Sequence, residues 1–192
     1  MRSRDMVKII SGLTVTERQY SLLTLFVLAI IGLTMAAGGR GDPLGVHGFI
    51  VLAFSLALAF AVMAGYYEPE PDESRLSRYY DDPTRAGIVL AMGWAVVGMF
   101  VGVWVAALLA WPELTFVDQA WASFGRLRPV HTSGVIFGFG GNALIATSFH
   151  VLQRTSRARL PDQFSPWFVL IGYNLFCVLA ASGYLMGLTQ SK

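Results

Sequence analysis

Three histidines, His47, His131 and His150, are the side chains of this 192-residue chain best suited to hold a metal, because no Asp or Glu lies within any of its long apolar runs. His131 sits in the stretch Phe124-Gly125-Arg126-Leu127-Arg128-Pro129-Val130-His131-Thr132-Ser133-Gly134. Pro129 is suited to a first helical turn, where its missing N–H costs nothing, which places the start of a helix at that proline. On a wheel of about 100° per residue, Gly134, Gly138, Gly141 and Asn142 fall at about 300°, 340°, 280° and 20° from His131, on one face with it. A histidine above a ridge of glycines suits a flat macrocycle, since the iron needs one side chain and the ring beneath it needs none. The same ridge suits a close helix–helix contact with His131 hydrogen-bonded across it. Arg126 and Arg128 beside it could pair with propionates or extend to the membrane surface as interfacial cations. His47, at the start of another apolar run, offers either a second imidazole at matching depth or a hydrogen bond at the helix mouth. His150 stands 19 residues from His131, about 28 Å along a helix, and cannot ligate the same iron.

The elements that carry these residues follow from charge. The chain is 55% hydrophobic and 14% charged, against about 25% charged in soluble domains. All charged residues lie outside five runs, at 19–39, 43–67, 86–112, 129–153 and 163–191. Each run is long enough to cross a hydrocarbon core of about 30 Å as a helix, and only helices satisfy every backbone group within one such segment. The fold class expected is therefore an all-α integral membrane protein with about five transmembrane helices. Met35-Ala36-Ala37 resembles a signal-peptide cleavage site, but the preceding apolar stretch exceeds a signal h-region, so the first run reads as a retained helix. A net charge of +2 gives no support for a nucleic-acid partner, and Cys177 alone cannot form a disulfide framework. The absence of acids in the runs argues against a transporter or pump.

The Lys and Arg residues number four before the first run, then one, three, two and three in the successive loops, and one at the end. A cytoplasmic N-terminus keeps ten of the 14 inside, as the positive-inside rule prefers. Arg154, Arg157 and Arg159 form the clearest anchor, and Trp111, Trp121 and Trp167 stand near run ends, where interfacial aromatics belong. Residues 68–85, with Pro69, Pro71, six acids and three arginines, read as a solvated linker. Gly98 and Gly102 form a GxxxG beside Gly93, Trp94 and Trp104, and Gly172, Gly183 and Gly187 mark the fifth run; these are general packing signals. Cys177 reads as a small buried hydrophobe.

The stretch GRLRPVHTSGVIFGFGGNALIATSFHVLQRTSRARL, Gly125 to Leu160, closely resembles the catalytic subunit of cbb3-type cytochrome c oxidases, within the haem-copper oxidase family. The likeness extends back to Tyr79-Tyr80-Asp81-Asp82-Pro83 and Trp111-Pro112-Glu113-Leu114, and forward through Gly172-Tyr173-Asn174-Leu175 to Gly187-Leu188-Thr189-Gln190-Ser191-Lys192. It implies two parts: residues 1–78 as an N-terminal extension of two helices with a charged linker, and 79–192 as the first three helices of the subunit I bundle. It further implies that His131 matches an axial ligand of low-spin haem b, with Arg128, and Arg126 next to it, near the propionates; Gly134 and Gly138, from their spacing, would then lie beneath the ring. His150 departs from the family's usual Tyr at a helix end.

The resemblance also implies an N-terminal portion of that subunit: the second ligand of the low-spin haem, the high-spin haem b and the copper ligands belong to later helices. The activity implied for the whole enzyme is electron transfer from cytochrome c, by way of haem c subunits, through haem b to oxygen with proton translocation, in a bacterial inner membrane. This chain alone is expected to be inactive toward oxygen. Two rivals differ in class: a small membrane cytochrome b using His47 and His131, and a packing or assembly protein without cofactor. The charge count predicts the topology directly. In a Cys177→Ser background, an impermeant thiol reagent added outside should label Lys192→Cys and miss Arg157→Cys; the opposite pattern would reverse the topology.

Overall fold

The computed structural model describes residues 15–39, 42–65, 79–115 and 119–188. The linker expected before residue 79 and the end at Lys192 therefore lie outside the described residues, apart from the linker's last positions. Five long helices account for most of the described chain: α1 Val15–Gly38, α2 Pro43–Gly65, α3 Asp82–Ala110, α4 Phe124–Ser156 and α5 Phe164–Leu185. There are no strands among the described residues. Each helix is long and apolar enough to cross a membrane. Large apolar side chains point outward, with Phe60, Phe100 and Leu144 each at least 70% exposed. In water such a surface would be an aggregation liability, whereas lipid tails cover it without cost.

The helices group into two compact units, one of Met1–Asp82 with Leu152–Val169 and one of Pro83–Val151 with Leu170–Lys192. In the first unit α1 and α2 form a hairpin. Asp42 stands before Pro43, its Oδ1 accepting the Gly45 N–H at 3.2 Å, so α2 begins with a side-chain cap followed by a proline that needs no donor. A Cβ on Gly32 would lie 2.6 Å from the Leu52 backbone nitrogen, and one on Gly48 would overlap the Ala36 backbone. The hairpin is thus a contact of backbone on backbone, possible only with hydrogen as the side chain. Ser21 and Ser55 return their hydroxyl protons to the carbonyls of Glu17 and Val51, each four residues earlier, which leaves no unmet donor in an apolar setting.

The same unit holds the polar end of α4. Gln153 is fully buried, and its amide pairs with one residue's backbone from both sides: Tyr80 N–H donates to Oε1 at 2.7 Å, and Nε2 donates to Tyr80 O at 3.0 Å. Arg154 grips Asp81 with two bonds of 2.8 Å, and its guanidinium lies 4.2 Å from the Tyr79 ring centre. Trp167 donates to the Tyr80 hydroxyl at 2.7 Å. Burial pushes the Tyr80 phenol above its ordinary range, partly opposed by that indole N–H. Arg154 therefore has a specific acidic partner as well as its place in the basic cluster at the end of the fourth run.

Helix α4 differs from expectation in two ways. It starts at Phe124, five residues before Pro129, because the Ser123 carbonyl already accepts the N–H groups of Arg126 at 3.1 Å and Leu127 at 3.0 Å. Pro129 is an interior residue, and its missing donor falls opposite the exposed Gly125, near the helix mouth. Second, Gly134–Gly141 is a π-helix between two α-helical stretches. In that wider turn each residue advances by less than 100°, so the wheel drawn for a uniform α-helix does not hold through it.

Replacing Gln153 with Leu leaves the Tyr80 N–H and C=O buried without partners. Thermal unfolding of the purified chain in detergent should show a loss of roughly 1–3 kcal/mol, with Arg154 still bound to Asp81. An unchanged midpoint would mean that the amide pairing contributes nothing.

Candidate functional site

The second unit contains His131 and explains its orientation. In α3, the residues Gly87, Trp94, Gly98 and Gly102 follow one face, and they meet Ala146, Gly138, Gly134 and His131 of α4 in descending order. The two helices run antiparallel in that register. A Cβ on Gly102 would lie 2.5 Å from His131 Cε1 and 2.7 Å from Nδ1, so the imidazole rests directly on the Gly102 backbone. One turn away, the Gly98 carbonyl stands 2.8 Å from His131 Nδ1. A carbonyl oxygen only accepts, so Nδ1 is the donor in this contact. The backbone oxygen thereby fixes one nitrogen of the ring and its orientation.

The glycine ridge has a different role from the open face expected beneath His131. Gly134 lies 3.8 Å from Gly98 Cα, measured from its own Cβ position, and a Cβ on Gly138 would come within 2.7 Å of three atoms of the Trp94 indole. Both glycines are buried against α3, with Trp94 packed on Gly138. The physical reason is helix packing, which the ridge also suited: hydrogen side chains let α3 come close enough to bring the Gly98 carbonyl onto His131. Gly141 is likewise covered, by the Tyr173 ring. A cavity of about 50 Å³ beside Trp94, Ser133 and Gly134 is closed on the far side by Phe176, Cys177 and Tyr184. It is far below the roughly 300 Å³ at which ligand pockets begin.

The two arginines separate. Arg126 donates from Nη1 to Leu185 O at 2.9 Å, satisfying a carbonyl in the last turn of α5, and its guanidinium packs over Gly187, whose φ of 87° belongs to the left-handed region. Arg128 is exposed, and no ion pair with it is found among the described residues. Below them Val105, Leu108 and Leu127 form a buried apolar cluster with Val101, Trp104, Phe124 and Leu185 around it. His47 belongs to the first unit, where its Nε2 is buried without a hydrogen-bond partner among the described residues. His150 is exposed. No group of three or more His, Cys, Asp or Glu able to hold a metal ion occurs among the described residues.

A family model described as Cytochrome C and Quinol oxidase polypeptide I matches residues 82–192. The chain belongs to this family. Among curated relatives, the bacteroid cytochrome c oxidase subunit 1 homolog of Bradyrhizobium diazoefficiens is 44% identical over 169 residues, covering 85% of this chain and 31% of the relative. The cytochrome c oxidase subunit 1 homolog of Azorhizobium caulinodans is 42% identical over 89% of this chain and 32% of its own length. The Cbb3-type cytochrome c oxidase subunit CcoN1 of Stutzerimonas stutzeri is 48% identical over 54% of this chain and 22% of the relative. The chain thus spans between about a fifth and a third of the relatives it matches. Haem is the cofactor class that the oxidase subunit I family implies, and α1 to α5 make this member a multi-pass membrane protein.

Against that background the residues to which sequence reasoning gave no role are the amides, even Asn142, which it had placed on the His131 face. Asn142 and Asn174 are buried and pair reciprocally: Asn174 Nδ2 donates to Asn142 Oδ1 at 2.7 Å, and Asn142 Nδ2 donates to Asn174 Oδ1 at 3.2 Å. Their remaining N–H groups go to Leu170 O at 2.8 Å and Gly138 O at 2.7 Å. Trp94 Nε1 donates to Asn174 Oδ1 at 2.9 Å. A search for charge in the apolar runs finds none of these. A search for any polar side chain there would have found Asn142, Asn174 and Gln153 together.

The contact of His131 with Gly102 makes a signed prediction. Gly102→Ala should destabilise the chain by roughly 1–3 kcal/mol through overpacking against the imidazole. Gly93→Ala meets nothing within 4 Å, and should gain roughly 0.5–1 kcal/mol from helix propensity. Thermal unfolding of both variants in one detergent checks the pair, and equal effects would contradict the packing described.

Proposed function

We propose that this chain forms the first membrane helices of the catalytic subunit of a cbb3-type cytochrome c oxidase, and that His131 is an axial ligand of its low-spin haem b. The observation that carries the reading is the 2.8 Å contact from His131 Nδ1 to the Gly98 carbonyl, which leaves Nε2 bare. Haem, when bound, supplies a one-electron iron couple. The chain's own residues do the rest. Gly98 holds the ring proton at Nδ1 and fixes the imidazole plane. Gly102, Gly134 and Gly138 let the two helices close on that contact, so the glycines serve the ligand through packing. Arg128, exposed beside the helix mouth, is the cation suited to a propionate. Arg126 has one donor committed to Leu185 O and four left, so it is the secondary partner.

In this reading residues 79–192 are the start of the subunit I bundle and 1–78 an extension. The high-spin haem b and copper belong to further helices of the full-length subunit. Electrons arrive from cytochrome c through haem c subunits of the complex and pass to oxygen, coupled to proton translocation. The protein sits in a bacterial cell membrane with its N-terminus in the cytoplasm. A second reading, a membrane cytochrome b with His47 as partner ligand, is favoured by one observation, the buried and unpartnered Nε2 of His47.

One experiment separates the two. In the full-length subunit, His131→Ala should abolish the low-spin haem signal in reduced-minus-oxidised spectra, and His47→Ala should leave it nearly unchanged. If His47→Ala removes the haem as completely, the cytochrome reading replaces the oxidase one at this site. If neither substitution alters the spectrum, His131 is not a ligand.

A further inference from the structure

We infer that Asn142, Asn174 and Trp94 are positioning residues for His131, holding α3 and α4 in the register that keeps the Gly98 carbonyl on Nδ1. The inference deepens the reading of His131 as a haem ligand and rests on it for its functional meaning. Its structural content stands on the hydrogen bonds alone.

The seam between α3 and α4 is built almost wholly from glycine, alanine and apolar contacts, which resist sliding poorly because neighbouring registers bury similar surface. Among the described residues, two polar side-chain links tie this face of α3 to the rest of the unit. One is the contact of His131 with Gly98 O. The other is Trp94 Nε1 donating to Asn174 Oδ1. Trp94 and Gly98 lie four residues apart on one face of α3, and Gly138 and Gly134 lie opposite them on α4. A displacement that removed Trp94 from its position over Gly138 would therefore carry the Gly98 carbonyl away from His131 as well.

The amide pair fixes Trp94 because it has no slack. Four amide hydrogens meet four acceptors, and Asn174 Oδ1 takes both the indole proton and one from Asn142. In a low-dielectric interior such a fully satisfied network is costly to break at any member. The network also explains the π segment. The α4 residues that meet α3, Gly134, Gly138 and Ala146, are spaced by multiples of four, which in an α-helix drifts steadily round the axis. A wider turn keeps them aligned. Two carbonyls of the π segment then receive side-chain donors, Phe137 O from Tyr173 and Gly138 O from Asn142.

The test reads the tautomer of His131 and needs no cofactor. The 192-residue chain, with ¹⁵N-histidine, is placed in lipid nanodiscs, and the His131 ring signals are assigned by their loss in His131→Ala. Wild type should show protonated Nδ1 and bare Nε2. Asn174→Leu should lower the ratio of the Nδ1–H to the Nε2–H form at least about threefold, the scale of one net hydrogen bond. Trp94→Phe keeps the ring over Gly138 and loses only one donor; it should shift the ratio in the same direction and serves if Asn174→Leu does not fold. Leu170→Ala removes a fully buried side chain one turn from Asn174, so it should lower stability and leave the tautomer alone. A wild-type ratio in the folded network variants, or an equal shift in Leu170→Ala, overturns the proposal. A shifted tautomer together with intact haem in the full-length His131→Ala subunit would uphold the positioning and defeat the ligand reading instead.

Discussion

The constraint on which the rest depends is that a polar group inside a hydrocarbon layer has no water to fall back on. A buried donor or acceptor in α1 to α5 is best met by the chain itself, and several side chains do so with short local bonds, whereas His47 Nε2 is left without one among the described residues. Ser21, Ser55, Thr147 and Ser148 return their protons to carbonyls four residues earlier. Where side chains do reach between helices, the cost of an unmet partner turns each contact into a determinant of register. Gln153 on Tyr80, Trp94 on Asn174, and His131 on Gly98 are of this kind.

That constraint is also why so much of the fold was legible. Charge exclusion from 21 to 29 consecutive residues admits few explanations other than a membrane span, and the five helices lie over the five runs. The end of α5 at Leu185 and the start of α4 at Phe124 were less legible, since neither is marked by a change in polarity. Both depend on capping: Arg126 supplies a donor to the last turn of α5, and the Ser123 carbonyl nucleates α4. Pro129 misled because its preference for a first turn is statistical, while a proline near a helix mouth costs little at an interior position too.

The candidate site was half visible. His131 stood out by type, and the glycines by spacing, yet spacing could not say which surface they faced. A ridge of glycines is compatible with a flat ligand or with a second helix, and the deciding partner, Trp94, is some 40 residues away in sequence. The carbonyl of Gly98 was invisible for a different reason. A backbone acceptor has no residue type, so no pattern of letters can nominate it. GxxxG marked close approach correctly, but the chemical use of that approach, presenting an oxygen to an imidazole, appears only once both helices are placed.

The consequence for the family's chemistry is a division of labour along one face of α3. Gly102 gives the imidazole room, Gly98 gives it a hydrogen-bond acceptor, and Trp94 locks the helix against sliding. Each function needs a different group: no side chain, a main-chain oxygen, and a large side chain with a single donor. Their spacing of four residues is what places them in one line. An imidazole held by a main-chain oxygen gains rigidity from the helix that carries that oxygen. A side-chain partner would have added its own rotamer freedom, and a carboxylate would have added a charge that the bilayer penalises. The absence of acids from the apolar runs, which first appeared as an argument against proton pumping within these helices, is therefore also what a backbone-anchored imidazole permits: the ring is oriented without placing a carboxylate in the hydrocarbon.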